Sequence, residues 1–286
     1  MFDDARRDHK IVPTLPGLLR IAVIQGLPSL IKSENMPNKE RKVKIEGAGL
    51  TAKNFMERLA VYKSDKELDK VERYFKGNDG VTRAFGVRFS DVFKTAEEFS
   101  QMPVEEIDLL LNSDFYEIRM GAVSIMDFQA KYRRATEEQK KALFDLYLRR
   151  HDRLNNWDFV DRGAANIIGA YLTGKPKDIL YALAKSNDPW ERRTAIVSTY
   201  AFIKNGNTDE TFQIAEILIH DEQELVNKAV GSWIREAGKK HRDKLTAFLD
   251  RFATTMPRVT LRYAVEQFDK DEKEYYSNIK RVKVSK

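Results

Sequence analysis

The segment that ends at Asp161 combines residue types that can stabilise a cation or move a proton. It reads Arg-Arg-His-Asp-Arg-Leu-Asn-Asn-Trp-Asp-Phe-Val-Asp. Asn156 is a favourable helix N-cap, and Trp157 and Asp161 are then i,i+4 neighbours on one helical face. Ala164 and Ile168 continue that face, so the carboxylate lies beside an apolar stripe and next to an indole. A carboxylate in such a place needs a partner or a chemical role.

Structural explanations compete for the same residues. Asp158, in the first turn of the predicted helix, can complement the helix dipole. Asp161 can be the buried salt-bridge partner of Arg193, which follows in the next helical unit. Trp157 can be a core aromatic residue. The residues alone leave the structural and the chemical explanation of Trp157 and Asp161 open.

From about residue 51 onward, the hydrophobic pattern is helical almost throughout. Apolar side chains recur at helical spacing, as at Ile196, Tyr200 and Ile203, and strand-like alternation is hard to find. The first 50 residues differ, because they hold half of the chain's 8 prolines and show poor helical periodicity. We therefore expect an N-terminal extension over residues 1–50 and one all-α domain over residues 51–286. Short polar breaks separate the predicted helices at 112–114, 173–176, 205–207 and 254–257.

Five helical segments share a local pattern, a basic residue one to three positions before an alanine. The alanines are roughly 30 to 43 residues apart, which is the period of two-helix repeats. Such a pair cannot bury its apolar face alone, so we expect neighbouring pairs to stack into a curved α-solenoid. The basic residues would then line a concave face and bind a phosphate backbone, or else they pair with nearby acids. They are Arg119, Arg162, Arg193, Lys228 and Arg262.

Composition narrows the possible classes of protein. The net charge is +6, which is modest evidence for a polyanionic partner. The absence of cysteine excludes disulfides, thiol nucleophiles and Cys-based zinc sites. The four histidines lie far apart with no i,i+4 pair, so no metal centre is expected. No apolar run approaches the roughly 20 residues that span a bilayer, and support for a signal peptide is weak, so we expect a cytoplasmic protein without membrane contact.

Two segments resemble the signature segments of the AlkD-type DNA glycosylases, the HEAT-like alkylation-repair family. They are Asn-Asn-Trp-Asp-Phe-Val-Asp at 155–161 and Trp-Glu-Arg-Arg-Thr-Ala-Ile at 190–196, in the family's order and at about its spacing. The resemblance extends over most of residues 51–280, including 71–76 and 228–236. It implies a solenoid of HEAT-like repeats that acts as a monomer on double-stranded DNA containing alkylated bases. The implied reaction is hydrolysis of the N-glycosidic bond of cationic N3- and N7-alkylated purines in base excision repair, without a cofactor.

The resemblance also implies a role for each motif residue. Asp161 would be the essential carboxylate, Trp157 an aromatic contact at the lesion's deoxyribose, and Arg193 a contact to the phosphate beside the lesion. Tyr74 would add a further DNA contact from the front of the solenoid. An alkylated purine is already cationic and leaves without protonation, so a carboxylate that stabilises the oxocarbenium-like sugar and orients water suffices.

One position departs from the family pattern. The family usually has a second lesion-facing tryptophan where this chain has Ser232. Trp233 is adjacent, but one residue turns a helix by about 100°, and Trp233 falls on an apolar stripe that favours the core. Two other hypotheses therefore stand beside the glycosylase. One is a weakly catalytic or non-catalytic relative that binds distorted or branched DNA, and the other is a HEAT-like protein–protein scaffold.

Overall fold

The computed structural model describes residues 49–75 and 79–282. The described residues all belong to one compact unit of the chain. The predicted domain boundary at residue 50 stays a prediction, because nearly all of the predicted extension lies outside the described residues.

The described residues of this unit fold into helices joined by short turns. In this part of the chain, the β-structure is limited to one isolated bridge between Arg83 and Phe115. None of the described helices has the length and apolar character that a membrane span requires. The α-helices are α1 Ala52–Ala60, α2 Asp65–Tyr74, α3 Phe89–Glu98, α4 Val104–Leu111, α5 Tyr116–Ala130, α6 Glu137–Arg149, α7 Trp157–Ala164, α8 Asp178–Ala184, α9 Pro189–Ser198, α10 Tyr200–Lys204, α11 Asp209–Leu218, α12 Glu224–Gly238, α13 Arg242–Phe252, α14 Arg258–Ala264 and α15 Lys270–Asn278.

The four predicted breaks all fall between helices. Two helical faces that the sequence predicts to be continuous are interrupted. The helical face of Ile196, Tyr200 and Ile203 is divided at Thr199, where α9 ends and α10 follows. There the Thr199 hydroxyl donates to the Ile196 carbonyl at 2.7 Å. Backbone hydrogen bonds at this point also join residues three apart, as in a 3-10 helix. In addition, α7 continues into a π-helical turn at Ala165–Gly169, which alters the register beyond Ala164.

The helices stack in two rows. In the first row, α3, α5, α7, α9, α12 and α14 each pack against the next. In the second row, α4, α6, α8, α11 and α13 lie against helices of the first. This is the nearest-neighbour arrangement of a helical-repeat solenoid, so the predicted all-α solenoid is confirmed. Its curvature and a basic concave face stay predictions.

Small residues let the first-row helices approach closely. A Cβ atom on Gly169 would lie 2.0 Å from the Ser198 carbonyl oxygen, and one on Gly231 would lie 2.5 Å from that of Thr260. Both obstacles are backbone atoms, so no change of side-chain rotamer would relieve the clash. Neighbouring repeats therefore meet backbone to backbone at these points. The alanines that mark the repeat are buried as well: Ala122, Ala164, Ala195, Ala229 and Ala264.

A buried carboxylate holds the segment that precedes α3. Glu117 on α5 is fully buried and accepts hydrogen bonds from the backbone N–H groups of Phe85 (2.7 Å), Gly86 (2.7 Å) and Val87 (3.1 Å). Gly86 has φ +86°, a backbone conformation that favours glycine. The carboxylate thus satisfies three backbone donors that no secondary structure would satisfy.

We expect Glu117→Gln to lower the free energy of unfolding by about 2–4 kcal/mol, because the amide turns a donor toward buried N–H groups and leaves them unsatisfied. Urea unfolding followed by circular dichroism measures the change. Glu105→Gln is the matched control, since Glu105 is exposed in the first turn of α4. It should stay within about 0.5 kcal/mol of wild type. Wild-type stability of Glu117→Gln would show that these bonds do not hold the segment.

Candidate functional site

Helix α7 presents an indole and a carboxylate one turn apart. Trp157 is its first residue and is half-buried, and Asp161 follows at the i+4 position. The Asp161 side chain is 37% exposed. Residues four apart lie on the same face of a helix, so the two side chains share one open face of α7.

Arg193 on α9 clamps the Asp161 carboxylate. Its Nε donates to Asp161 Oδ1 at 3.0 Å, and its Nη2 lies 2.8 Å from both Oδ1 and Oδ2. Its Nη1 donates to the Leu225 carbonyl oxygen. The Arg193 side chain is only 9% exposed. Bidentate pairs of this kind fix the orientation of a carboxylate, so Asp161 is held in place while it remains open to solvent.

This geometry bears on both explanations of Asp161. The salt bridge between Asp161 and Arg193 exists, but its carboxylate lies at the surface rather than in the core. The Arg193 guanidinium is turned inward and is occupied by Asp161 and Leu225. Its phosphate contact therefore stays a prediction.

A second network holds the start of α7. Asn156 occupies the N-cap position as predicted, but its side chain makes no capping bond. Its amide instead donates to the Tyr116 hydroxyl and to Asp158 Oδ1, each at 2.8 Å, and the Tyr116 hydroxyl donates to Asp158 Oδ2. Burial raises the pKa of the Asp158 carboxyl, although the hydrogen bonds from Tyr116 and Asn156 oppose the rise. Asp158 thus does more than complement the helix dipole.

Arg119 lies beneath the turn that leads to Trp157. It is fully buried, and its guanidinium donates to the Arg153 carbonyl (3.0 Å), Asn155 Oδ1 (2.9 Å) and Thr82 Oγ1 (2.6 Å). Burial and the nearby charge of Arg153 lower the pKa of Arg119 to about 10, so it stays charged at neutral pH. A side chain without exposed surface cannot reach a phosphate. We therefore do not retain Arg119 as a DNA contact; it fixes the turn instead.

The other recurrent basic residues lie on helices of the first row. Arg162 on α7 is 3.3 Å from Asp127, and Lys228 on α12 is 2.6 Å from Glu224. Arg262 on α14 is exposed. The first two contacts fit the alternative that these residues pair with nearby acids. DNA contacts by Arg162, Lys228 and Arg262 stay predictions.

Three further aromatic residues, Trp190, Trp233 and Tyr74, are singled out by the sequence. Trp190 and Trp233 pack against the hydrophobic core, and the Trp233 ring lies 4.8 Å from that of Tyr200, which confirms the core assignment of Trp233. Ser232, at the family's second tryptophan position, is half-buried. Tyr74 ends α2, but its side chain lies outside the described residues, so its DNA contact stays a prediction.

The partners that hold the site together are not apparent from the sequence pattern. Asn155 donates to Asp79 at 2.7 Å across 76 residues of sequence. Partial burial raises the pKa of Asp79, but hydrogen bonds from Thr82, Val81 and Asn155 outweigh it and lower the pKa to about 2. No local pattern marks these contacts, because they join residues that only the tertiary fold brings together.

Comparisons with known proteins agree with this fold. A protein described as a predicted DNA alkylation repair enzyme from Enterococcus faecalis has a similar structure, with a TM-score of 0.59 and 16% identity over 73% of this chain and 97% of that chain. The crystal structure of AlkD2 from Streptococcus mutans matches with a TM-score of 0.46 and 20% identity, over 76% of this chain and 97% of that one. No curated protein matches at comparable significance. Residues 55–268, more than half of the chain, match the family described as DNA alkylation repair enzyme, and the chain belongs to that family.

Proposed function

We propose that this protein is a monofunctional DNA glycosylase that removes cationic N3- and N7-alkylated purines from double-stranded DNA. The observation that carries the proposal is the Asp161 carboxylate. It is held by Arg193, remains 37% exposed and lies one helical turn from the Trp157 indole. In a member of the DNA alkylation repair family, such a carboxylate can take part in the removal of an alkylated base. That it acts as a monomer in the cytoplasm stays a prediction.

The reaction needs no general acid. When the bond between C1′ and the base nitrogen breaks, its electron pair moves to the cationic purine, which leaves as a neutral base. The positive charge passes to an oxocarbenium-like sugar. The Asp161 carboxylate stabilises that charge and orients the water that attacks C1′. It accepts the proton that this water loses as its oxygen bonds to C1′, and passes the proton on to solvent. Trp157 adds the attraction of an aromatic face for a cation.

Arg193 is a positioning residue in this scheme. A carboxylate has roughly four lone-pair sites, and a bidentate arginine leaves part of that capacity unused. Here Arg193 donates three hydrogen bonds, two to Oδ1 and one to Oδ2 of Asp161. A lone pair on Oδ2 therefore remains for water or for the sugar cation. The clamp holds the charge in one orientation, so little reorganisation is needed during the reaction.

Base release from methylated DNA tests the proposal. Wild-type protein is incubated with duplex DNA treated with dimethyl sulfate, and the released bases are identified by chromatography. We expect free 3-methyladenine and 7-methylguanine, with strands that break only when alkali cleaves the abasic sites. DNA binding without release would favour the non-catalytic relative, for which Ser232 is the supporting observation. Neither binding nor release would favour the protein–protein scaffold.

We expect Trp157→Ala to lower the single-turnover excision rate by about 5- to 30-fold, since a cation–π contact contributes about 1–2 kcal/mol. Trp157→Phe is the matched control, because it keeps an aromatic face and should retain most of the rate. Both variants should bind lesion-free DNA like wild type. Wild-type excision by Trp157→Ala would remove the indole from the mechanism.

A further inference from the structure

Three metal-ligating side chains converge at the start of α9. His151 belongs to the short 3-10 helix His151–Arg153, which precedes α7, and it faces Asp188 and Glu191. One ligand atom from each residue lies within 4.8 Å of the other two. His151 Nδ1 and Asp188 Oδ2 are 3.9 Å apart. The spacing of the histidines along the sequence predicts no metal site. This cluster does not show in that spacing, because the two carboxylates come from a different repeat than His151.

The histidine has an unsatisfied nitrogen directed at the two carboxylates. His151 is 4% exposed, and its Nε2 lies 2.9 Å from Thr194 Oγ1. Its Nδ1 is buried and has no hydrogen-bond partner among the described residues. A buried polar atom without a partner costs about 1–3 kcal/mol. In the tautomer whose Nε2–H donates to Thr194, the Nδ1 lone pair is available to a ligand.

We propose that His151, Asp188 and Glu191 bind one divalent transition-metal ion, with Zn²⁺ as the reference ion. An imidazole and two carboxylates suit such an ion, and two ligands of one tetrahedral Zn²⁺ lie about 3.3–3.6 Å apart. The 3.9 Å between His151 Nδ1 and Asp188 Oδ2 is only slightly longer than this. The full set, within 4.8 Å, must contract by about 1 Å, which rotation of the half-buried Glu191 and Asp188 side chains permits.

The surroundings favour binding of an ion at this point. Asp188 uses Oδ1 to accept the Trp190 backbone N–H at 2.8 Å, so Oδ2 remains for the metal. The Asp188 side chain is 39% exposed, which gives the ion an entry route and leaves room for a water ligand. Thr194 would orient the imidazole through its other nitrogen, as partners of metal-binding histidines usually do. Burial lowers the pKa of His151, although the nearby carboxylates of Glu191 and Asp188 oppose the fall.

The ion would join the turn before α7 to the first turn of α9. These two helices carry Asp161 and Arg193, so the ion would brace the helices that form the salt bridge. This inference does not rest on the proposed glycosylase activity, and its readouts are independent of base excision.

Metal binding is tested on the full-length protein after treatment with a chelator. Calorimetric titration with Zn²⁺ should show one tight site in the wild-type protein. Glu191→Gln should bind Zn²⁺ at least tenfold more weakly. Free Zn²⁺ at about 100 times the dissociation constant should raise the melting temperature by about 5–10 °C. Co²⁺ should give intense visible absorption bands from a protein-bound ion, and these bands should be lost in Glu191→Gln.

Two further variants keep the result interpretable. Asp188→Asn retains an N-cap acceptor for Trp190 and should weaken binding like Glu191→Gln, which guards against a folding defect in any single variant. His220→Gln is the control for surface coordination, because His220 is exposed, and it should bind like wild type. Equal Zn²⁺ binding by wild type and both carboxylate variants would overturn the proposal. So would a Co²⁺ spectrum that matches the hydrated ion.

Discussion

Asp161→Asn should lower the rate of 7-methylguanine excision by about 10² or more, which corresponds to roughly 3 kcal/mol of transition-state stabilisation. The substitution keeps the shape of the side chain and one acceptor for Arg193, but it removes the charge that faces the developing sugar cation. Affinity for lesion-free DNA should hold or increase slightly, because a negative charge near phosphates has gone. Single-turnover kinetics on a duplex with one lesion measures the rate.

The rival explanation of Asp161 predicts a different set of results. If the carboxylate serves only to satisfy the inward-facing Arg193, Asp161→Asn should lower the melting temperature markedly and weaken DNA binding as well. Asp178→Asn is the matched control, since it removes an exposed first-turn carboxylate from α8. Near-normal excision by a stable, DNA-binding Asp161→Asn protein would remove Asp161 from the mechanism.

DNA affinity should fall by about 10² to 10³ between 50 and 200 mM salt if four to six phosphates are contacted, because each contact releases condensed counterions. The net charge of +6 and the row of basic residues motivate this prediction. Lys228→Ala and Arg262→Ala should each reduce the slope of log affinity against log salt concentration by about one. Fluorescence anisotropy with a labelled duplex measures both quantities.

Lys141→Ala serves as the control for these variants. Lys141 is an exposed residue of α6 in the second row, where it pairs with Asp145 at 2.6 Å. If the first row faces DNA, this variant should leave the salt dependence unchanged. Affinity that does not respond to salt would show that the basic residues pair only with protein acids.

The helical stack is largely predictable from the sequence. Apolar spacing and polar breaks define the helices, and small residues that recur with the repeat show where neighbouring helices meet. The interruption at Thr199 and the π-helical turn at Ala165–Gly169 are not predictable in the same way. Gly169 lies against the Ser198 carbonyl in the next repeat, so that stretch meets a constraint from outside its own segment.

The site is predictable only in part. The i,i+4 spacing of Trp157 and Asp161 is enough to place both residues on one helical face. Whether a basic residue points outward is decided by the partners that the fold supplies. Arg119 and Arg262 occupy similar positions in the repeat, yet Arg119 is buried beneath the 153–155 turn while Arg262 is exposed. Sequence periodicity cannot distinguish such cases, because the acceptors of Arg119 come from other segments.

In the proposed mechanism, the fixed Asp161 carboxylate acts only on bases that already carry a positive charge. The most direct measurement compares two duplexes of identical sequence under single-turnover conditions, one with 7-methylguanine and one with hypoxanthine, a neutral base at neutral pH. Without a general acid, the protein should release 7-methylguanine and leave hypoxanthine in place. Failure to release 7-methylguanine, or equal release of both bases, would contradict this mechanism.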